Sequence, residues 1–177
     1  AILSYFTSLN SLYLQSFGLG MSQVGIIGTI AMIPFVIKIF LGMLSDKVNF
    51  FGLGHRKPYI ILGLAIQVIC LILIPSIDPG REFWAYAGMA FITVTGMALY
   101  DTCTDGLALD TTARDEEGII QGFMGGGRAA GMVVVSSLLG LIVQNTSWRL
   151  GFYFLALVSL LPLPFVFFAR EIQRTPE

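Results

Sequence analysis

Six apolar stretches, each about long enough to cross a bilayer, divide this chain and leave it few ways to fold. They cover residues 1–17, 22–45, 58–77, 82–111, 118–144 and 148–169. A spanning helix needs about 20 mostly apolar residues, with about 17–25 the usual range. Composition points the same way: 55% of residues are hydrophobic, 12% are charged and the mean hydropathy is +0.81. A soluble domain carries roughly 25% charge. The expected fold is therefore an all-α membrane protein of six transmembrane helices. The connections are too short to mark a second domain, so one bundle takes up residues 1–177.

Ten basic and eleven acidic side chains nearly cancel, which argues against a nucleic-acid partner. Cys70 and Cys103 lie in apolar stretches and read as small buried hydrophobes rather than a disulfide or metal pair. The single histidine, His55, sits in a loop with no second ligand or nucleophile near it. No phosphate loop, zinc spacing or Ser/His/Asp set is present, so no cofactor, metal or catalytic residue is expected. The Gly125–Gly127 run lacks the Lys-Ser/Thr that would make it a phosphate loop. Ala1-Ile2-Leu3 has no basic region or cleavage site, so the chain reads as starting inside its first helix rather than with a signal peptide.

Lysine and arginine in the short loops set orientation. Lys47, Arg56, Lys57, Arg114, Arg170 and Arg174 collect on one face, against Arg81 and Arg149 on the other. This puts the 46–57 and 112–117 loops and both termini in the cytoplasm. The first segment is polar on one side (Ser4, Thr7, Ser8, Asn10, Ser11, Gln15). The fifth carries a run of small residues from Gly122 to Gly140, the kind of face that lets helices pack closely in lipid.

Charges in such segments are costly, at least about 2.5–3.5 kcal/mol each on insertion scales, which makes each a functional candidate. Lys38, Asp101, Asp105 and Arg128 are the four. Asp101 and Asp105 are at i and i+4 and share a helix face. Asp101 and Arg128 each lie about 13 residues, or about 20 Å, from the turn between their helices, so they share a level. Lys38 falls nearer the level of Asp105. The simplest pairing is Asp101 with Arg128 and Asp105 with Lys38, leaving Asp110 solvated at the headgroup boundary. Such pairs either fix helix register or border a polar cavity for a solute or a coupling proton.

Between the second and third segments the chain reads Gly42-Met43-Leu44-Ser45-Asp46-Lys47, then Gly52, Gly54 and Arg56-Lys57-Pro58. The glycines permit a tight reversal, and the proline suits a first helical turn. This resembles the loop motif between the second and third helices of the major facilitator superfamily. Taken with Pro34-Phe35-Val36-Ile37-Lys38, Asp101-Thr102-Cys103-Thr104-Asp105-Gly106 and Arg128-Ala129-Ala130-Gly131, it is similar to the folate–biopterin transporter branch. The resemblance implies one half of a twelve-helix fold, built of two three-helix inverted repeats. It implies a secondary transporter that moves a small organic solute by alternating access, a symporter where a proton accompanies it. Gly42, Asp46, Arg56 and Lys57 would then form a cytoplasmic gate, and Lys38, Asp101, Asp105 and Arg128 would face the cavity. The partners implied are the solute, the bilayer and a second six-helix half, in the same chain or another subunit. The alternative is a non-transporting membrane subunit or scaffold on the same fold.

Overall fold

The computed structural model describes residues 2–47 and 56–168, and among these every regular element is helical. The chain opens with α1 (Ile2–Ser4), a π-helical turn (Tyr5–Leu9) and α2 (Asn10–Ser16), closed by Gly18 at φ 80°. Glycine holds that left-handed conformation at little cost. The long helices follow: α3 (Met21–Lys47), α4 (Lys57–Leu73, extended by a 3₁₀ turn to Ser76), α5 (Phe83–Asp110) and α6 (Glu117–Asn145). The last pair is α7 (Trp148–Leu160) and α8 (Leu163–Phe168).

Local chemistry explains most boundaries. Pro58 lies in the first turn of α4, where its missing N–H costs nothing. Ser147 caps α7 by accepting a hydrogen bond from the Leu150 N–H. At the turn before α5, the Asp78 carboxylate accepts the Gly80 N–H at 2.8 Å. Pro34 falls inside α3, where it removes one backbone hydrogen-bond donor from the helix.

Among the described residues five helices are long and apolar enough to cross a membrane: Met21–Met43, Lys57–Ser76, Phe83–Asp110, Glu117–Asn145 and Trp148–Phe168. The first expected span is helical from Ile2 to Ser16, yet that is shorter than a full crossing and is interrupted by the π turn. Its polar residues do not form one face. Ser4 and Asn10 are buried, whereas Thr7, Ser8 and Gln15 are exposed. Large apolar side chains such as Val36, Phe40, Phe123 and Phe168 point outward, as hydrocarbon surroundings require.

Two features set the interior. At the end where α2 stops and α5 and α7 begin, Tyr13 packs against Trp148, Phe152 and Phe17 with ring centroids 5.1 Å apart. Beside it the Tyr86 hydroxyl donates to Asn10 Oδ1 at 2.9 Å, so Tyr5 must donate to Tyr86 at 2.8 Å. This aromatic cluster closes what we call the Trp84 end; the opposite end carries Arg56. The second feature is the crossing of α4 and α5. A Cβ at Gly63 would meet the Gly96 carbonyl at 2.5 Å, so only glycine permits this approach. The small-residue run of α6 packs otherwise than expected. Gly122, Gly125, Gly126, Gly127, Gly131 and Gly140 have nothing within 4 Å of a would-be Cβ, so close packing falls to Gly63, Gly96, Gly42 and Gly151.

Candidate functional site

A cavity of about 520 Å³ opens among α3, α4, α5, α6, the start of the chain and the α7–α8 break. Lys38, Asp101, Asp105 and Arg128 all line it. The rest of the wall is mostly apolar (Phe35, Leu64, Met97, Val135), with Gln67, Tyr100, Thr104 and Ser159 as further polar groups.

The four charges form one chain of contacts. Arg128 Nη2 donates to Asp105 Oδ1 and stands 3.1 Å from Asp101 Oδ1. Lys38 Nζ approaches Asp101 Oδ2 at 3.7 Å and lies 5.8 Å over the Phe35 ring. Asp101, with its side chain 14% exposed, is the most enclosed and serves both cations. Lys38 and Arg128 keep 36% and 45% exposure and reach toward the opening. Two positive and two negative groups cancel, so the unliganded cavity carries no net charge.

The Asp101–Arg128 pairing matches the expected level. The expected Asp105–Lys38 pair does not form; Lys38 goes to Asp101. Register explains this. A Cβ at Gly42 would touch Thr102 Cγ2 at 2.8 Å, which sets residue 42 of α3 level with residue 102 of α5. The two helices run in the same direction, so Lys38 is level with residue 98. Asp101 is then about 4–5 Å away along the axis and Asp105 about 10 Å.

Asp110 differs too. Rather than a solvated anion at a boundary, it is 19% exposed and accepts the Arg56 Nε–H at 2.6 Å. Arg56, expected as a loop cation, is buried at 9% exposure, its guanidinium lying against Gly106, where any Cβ would overlap it. Lys57 is half-buried at the start of α4. Gly52, Gly54, His55 and the side chain of Asp46 lie outside the described residues. Among the described residues no cluster of His, Cys, Asp and Glu could hold a metal ion.

Sequence reasoning passed over Gln67, Tyr100 and Thr104. The available signal was Gln67 itself, the single amide in the apolar α4.

Comparison with known proteins adds to this geometry. Residues 4–177 match the profile described as the BT1 family. The chain is 24% identical over 164 residues to a folate-biopterin transporter of Synechocystis sp., covering 90% of this chain and 32% of the relative. It is 25% identical over 136 residues to "Probable folate-biopterin transporter 7" of Arabidopsis thaliana, covering 74% and 30%. It is 27% identical over 155 residues to "Probable folate-biopterin transporter 8, chloroplastic" of the same plant, covering 86% and 28%. The chain thus spans about a third of the length of the curated relatives it matches. No solved structure matches.

Proposed function

The chain belongs to the BT1 family and is an integral, multi-pass membrane protein, and on that premise we propose that it acts in transport and not in enzyme catalysis. It supplies one six-helix half of a secondary transporter of major-facilitator type, with Ile2–Ser16 belonging to the sixth crossing. The solute is a small organic molecule of the folate or biopterin class, the class in the relatives' names. The observation that carries this reading is the convergence of all four intramembrane charges on one cavity. Ions fixing register alone could be packed against lipid-tight walls; these border a space a heterocyclic solute could enter.

Several features support the finer mechanism. The Lys and Arg bias of the loops favours cytoplasmic termini, which makes the Arg56 end cytoplasmic and the aromatic end external. Arg56, held by Asp110 against Gly106 just before α4, stands at the end of the bundle where a cytoplasmic gate would lie. The uncovered faces of α3 and α6 suit a second six-helix bundle, against which this one rocks in alternating access. Asp101 is the carboxylate that Lys38 contacts, so protonating it would release Lys38 to hold an anionic solute while Arg128 stays with Asp105, which couples a proton to the cycle.

The test is uptake of labelled folate and biopterin by vesicles holding the protein expressed from its complete reading frame. The proposal expects saturable uptake that accelerates under an inward proton gradient. Uptake indifferent to the gradient removes the coupling. No uptake above empty vesicles by correctly inserted protein removes transport and leaves the scaffold reading.

A further inference from the structure

Gln67, Tyr100, Thr104 and Ser159 line the cavity without a part in the ion chain. Gln67 lies at mid-length of the Lys57–Ser76 span, is 3% exposed and lines the cavity beside Leu64 and Met97. Among the described residues no hydrogen bond to its amide is seen, and the fully enclosed side-chain atoms without a partner are the hydroxyls of Ser4, Thr102 and Thr104, so the amide keeps some access to the cavity. An amide brings two donors and an acceptor oxygen, and burying them unpaired is unfavourable. A leucine or methionine would fill the position without that cost. The rest of α4 is apolar between Tyr59 and Leu73, so the amide is the exception on its helix.

Its place relative to the charges follows from the Gly63–Gly96 crossing. There the Gly63 position abuts both the Gly96 carbonyl and the Tyr100 N–H. Counting along the two antiparallel helices from that point, Gln67 lies about 10 Å from Asp101, toward the Trp84 end. The cavity therefore has two chemically distinct ends. One holds four ions; the other holds the neutral Gln67 amide, able to donate and accept side by side.

We propose that Gln67 is a specificity-determining residue that reads the lactam edge of a flat heterocyclic solute. A carboxamide pairs with a lactam in two parallel hydrogen bonds: its N–H donates to the ring carbonyl and its oxygen accepts the adjacent ring N–H. The 2-amino-4-oxo pteridine ring presents such an edge at N3–H and C4=O. The ion chain then receives the polar substituent at the other end. This inference rests on the transport reading above and adds the residue that recognises the ring.

The experiment pairs a change in the solute with a change in the protein. Vesicles carrying the complete protein are assayed for uptake of biopterin and of its N3-methyl derivative, with wild type and Gln67→Met, after equal insertion is verified. Wild type is expected to favour biopterin about tenfold, the worth of one good hydrogen bond. Gln67→Met is expected to raise KM for biopterin about tenfold with kcat within twofold, and to leave the N3-methyl compound within twofold. Wild type that takes both compounds equally overturns the proposal with no variant needed. A variant that slows both compounds by the same factor, or neither, overturns it as well, because Gln67 would then be a packing or water-binding group. Wild type that takes up neither biopterin nor folate overturns the transport reading itself, and this proposal falls with it.

Discussion

Replacing Gly63 with alanine is expected to separate the two helices that hold the cavity. The added Cβ would stand 2.5 Å from the Gly96 carbonyl oxygen, 2.8 Å from the Tyr100 backbone nitrogen and 3.0 Å from Tyr100 Cβ. Two of these neighbours are backbone atoms of α5, so no side-chain rotation relieves the clash. To restore ordinary contact the helices must part by roughly 0.9 Å, and overpacking of this kind costs about 1–3 kcal/mol. Better helix propensity returns at most about 1 kcal/mol. In lipid, where close backbone approach is itself a source of cohesion, the parting also loses contacts along the α4–α5 seam. The assay is thermal unfolding in detergent, followed by tryptophan fluorescence. A midpoint lowered by several degrees is expected for Gly63→Ala. Gly122→Ala is the control, since nothing lies within 4 Å of its would-be Cβ; its midpoint should hold or rise. Equal midpoints for Gly63→Ala and wild type would refute the assigned crossing.

Other perturbations bear on separate parts of the structure. A double-mutant cycle exchanging Asp101 and Arg128 should show coupling of about 0.5–3 kcal/mol in stability, whereas strict additivity would argue against their contact. Tyr86→Phe leaves the buried Asn10 Oδ1 without its donor and should cost about 1–3 kcal/mol in the same unfolding assay. Tyr5→Phe removes only the end of that hydrogen-bond chain and should cost less; the reverse order would contradict the donor direction. Asp110→Asn weakens the hold on a buried guanidinium, and a clear loss of thermal stability is expected, larger than for Asp78→Asn at the exposed Arg81 pair.

The helices were legible because a bilayer demands long apolar runs, and the observed bounds fall within a few residues of most expected ones. The short first segment is the exception: nothing in Tyr5–Leu9 announces a π turn, and the turn helps split Ser4 and Asn10 from Thr7 and Ser8. The gathering of the four charges was legible for a related reason, since distance from a hairpin turn measures depth. Who pairs with whom was not. Lys38 reaches Asp101 because Gly42 lets α3 settle against Thr102, a register that lies in the contact between helices and not in either helix. Arg56 turns inward for a similar reason, as Gly106 leaves room for its guanidinium beside Asp110. The glycines of α6 advertise a close contact as plainly as Gly63 does, yet Gly63 has a neighbour against it in this bundle and they do not. Gln67 escaped notice because one amide in an apolar helix acquires meaning only once a cavity is found beside it.

Whether the enclosed ions work or merely hold the helices in place is tested most directly by Asp101→Asn in the folate uptake assay. The substitution keeps shape and hydrogen-bonding capacity while removing the charge that Lys38 and Arg128 share. With insertion and unfolding midpoint comparable to the parent protein, uptake is expected to fall at least tenfold. Parental uptake by that variant would contradict the role given to the ion chain.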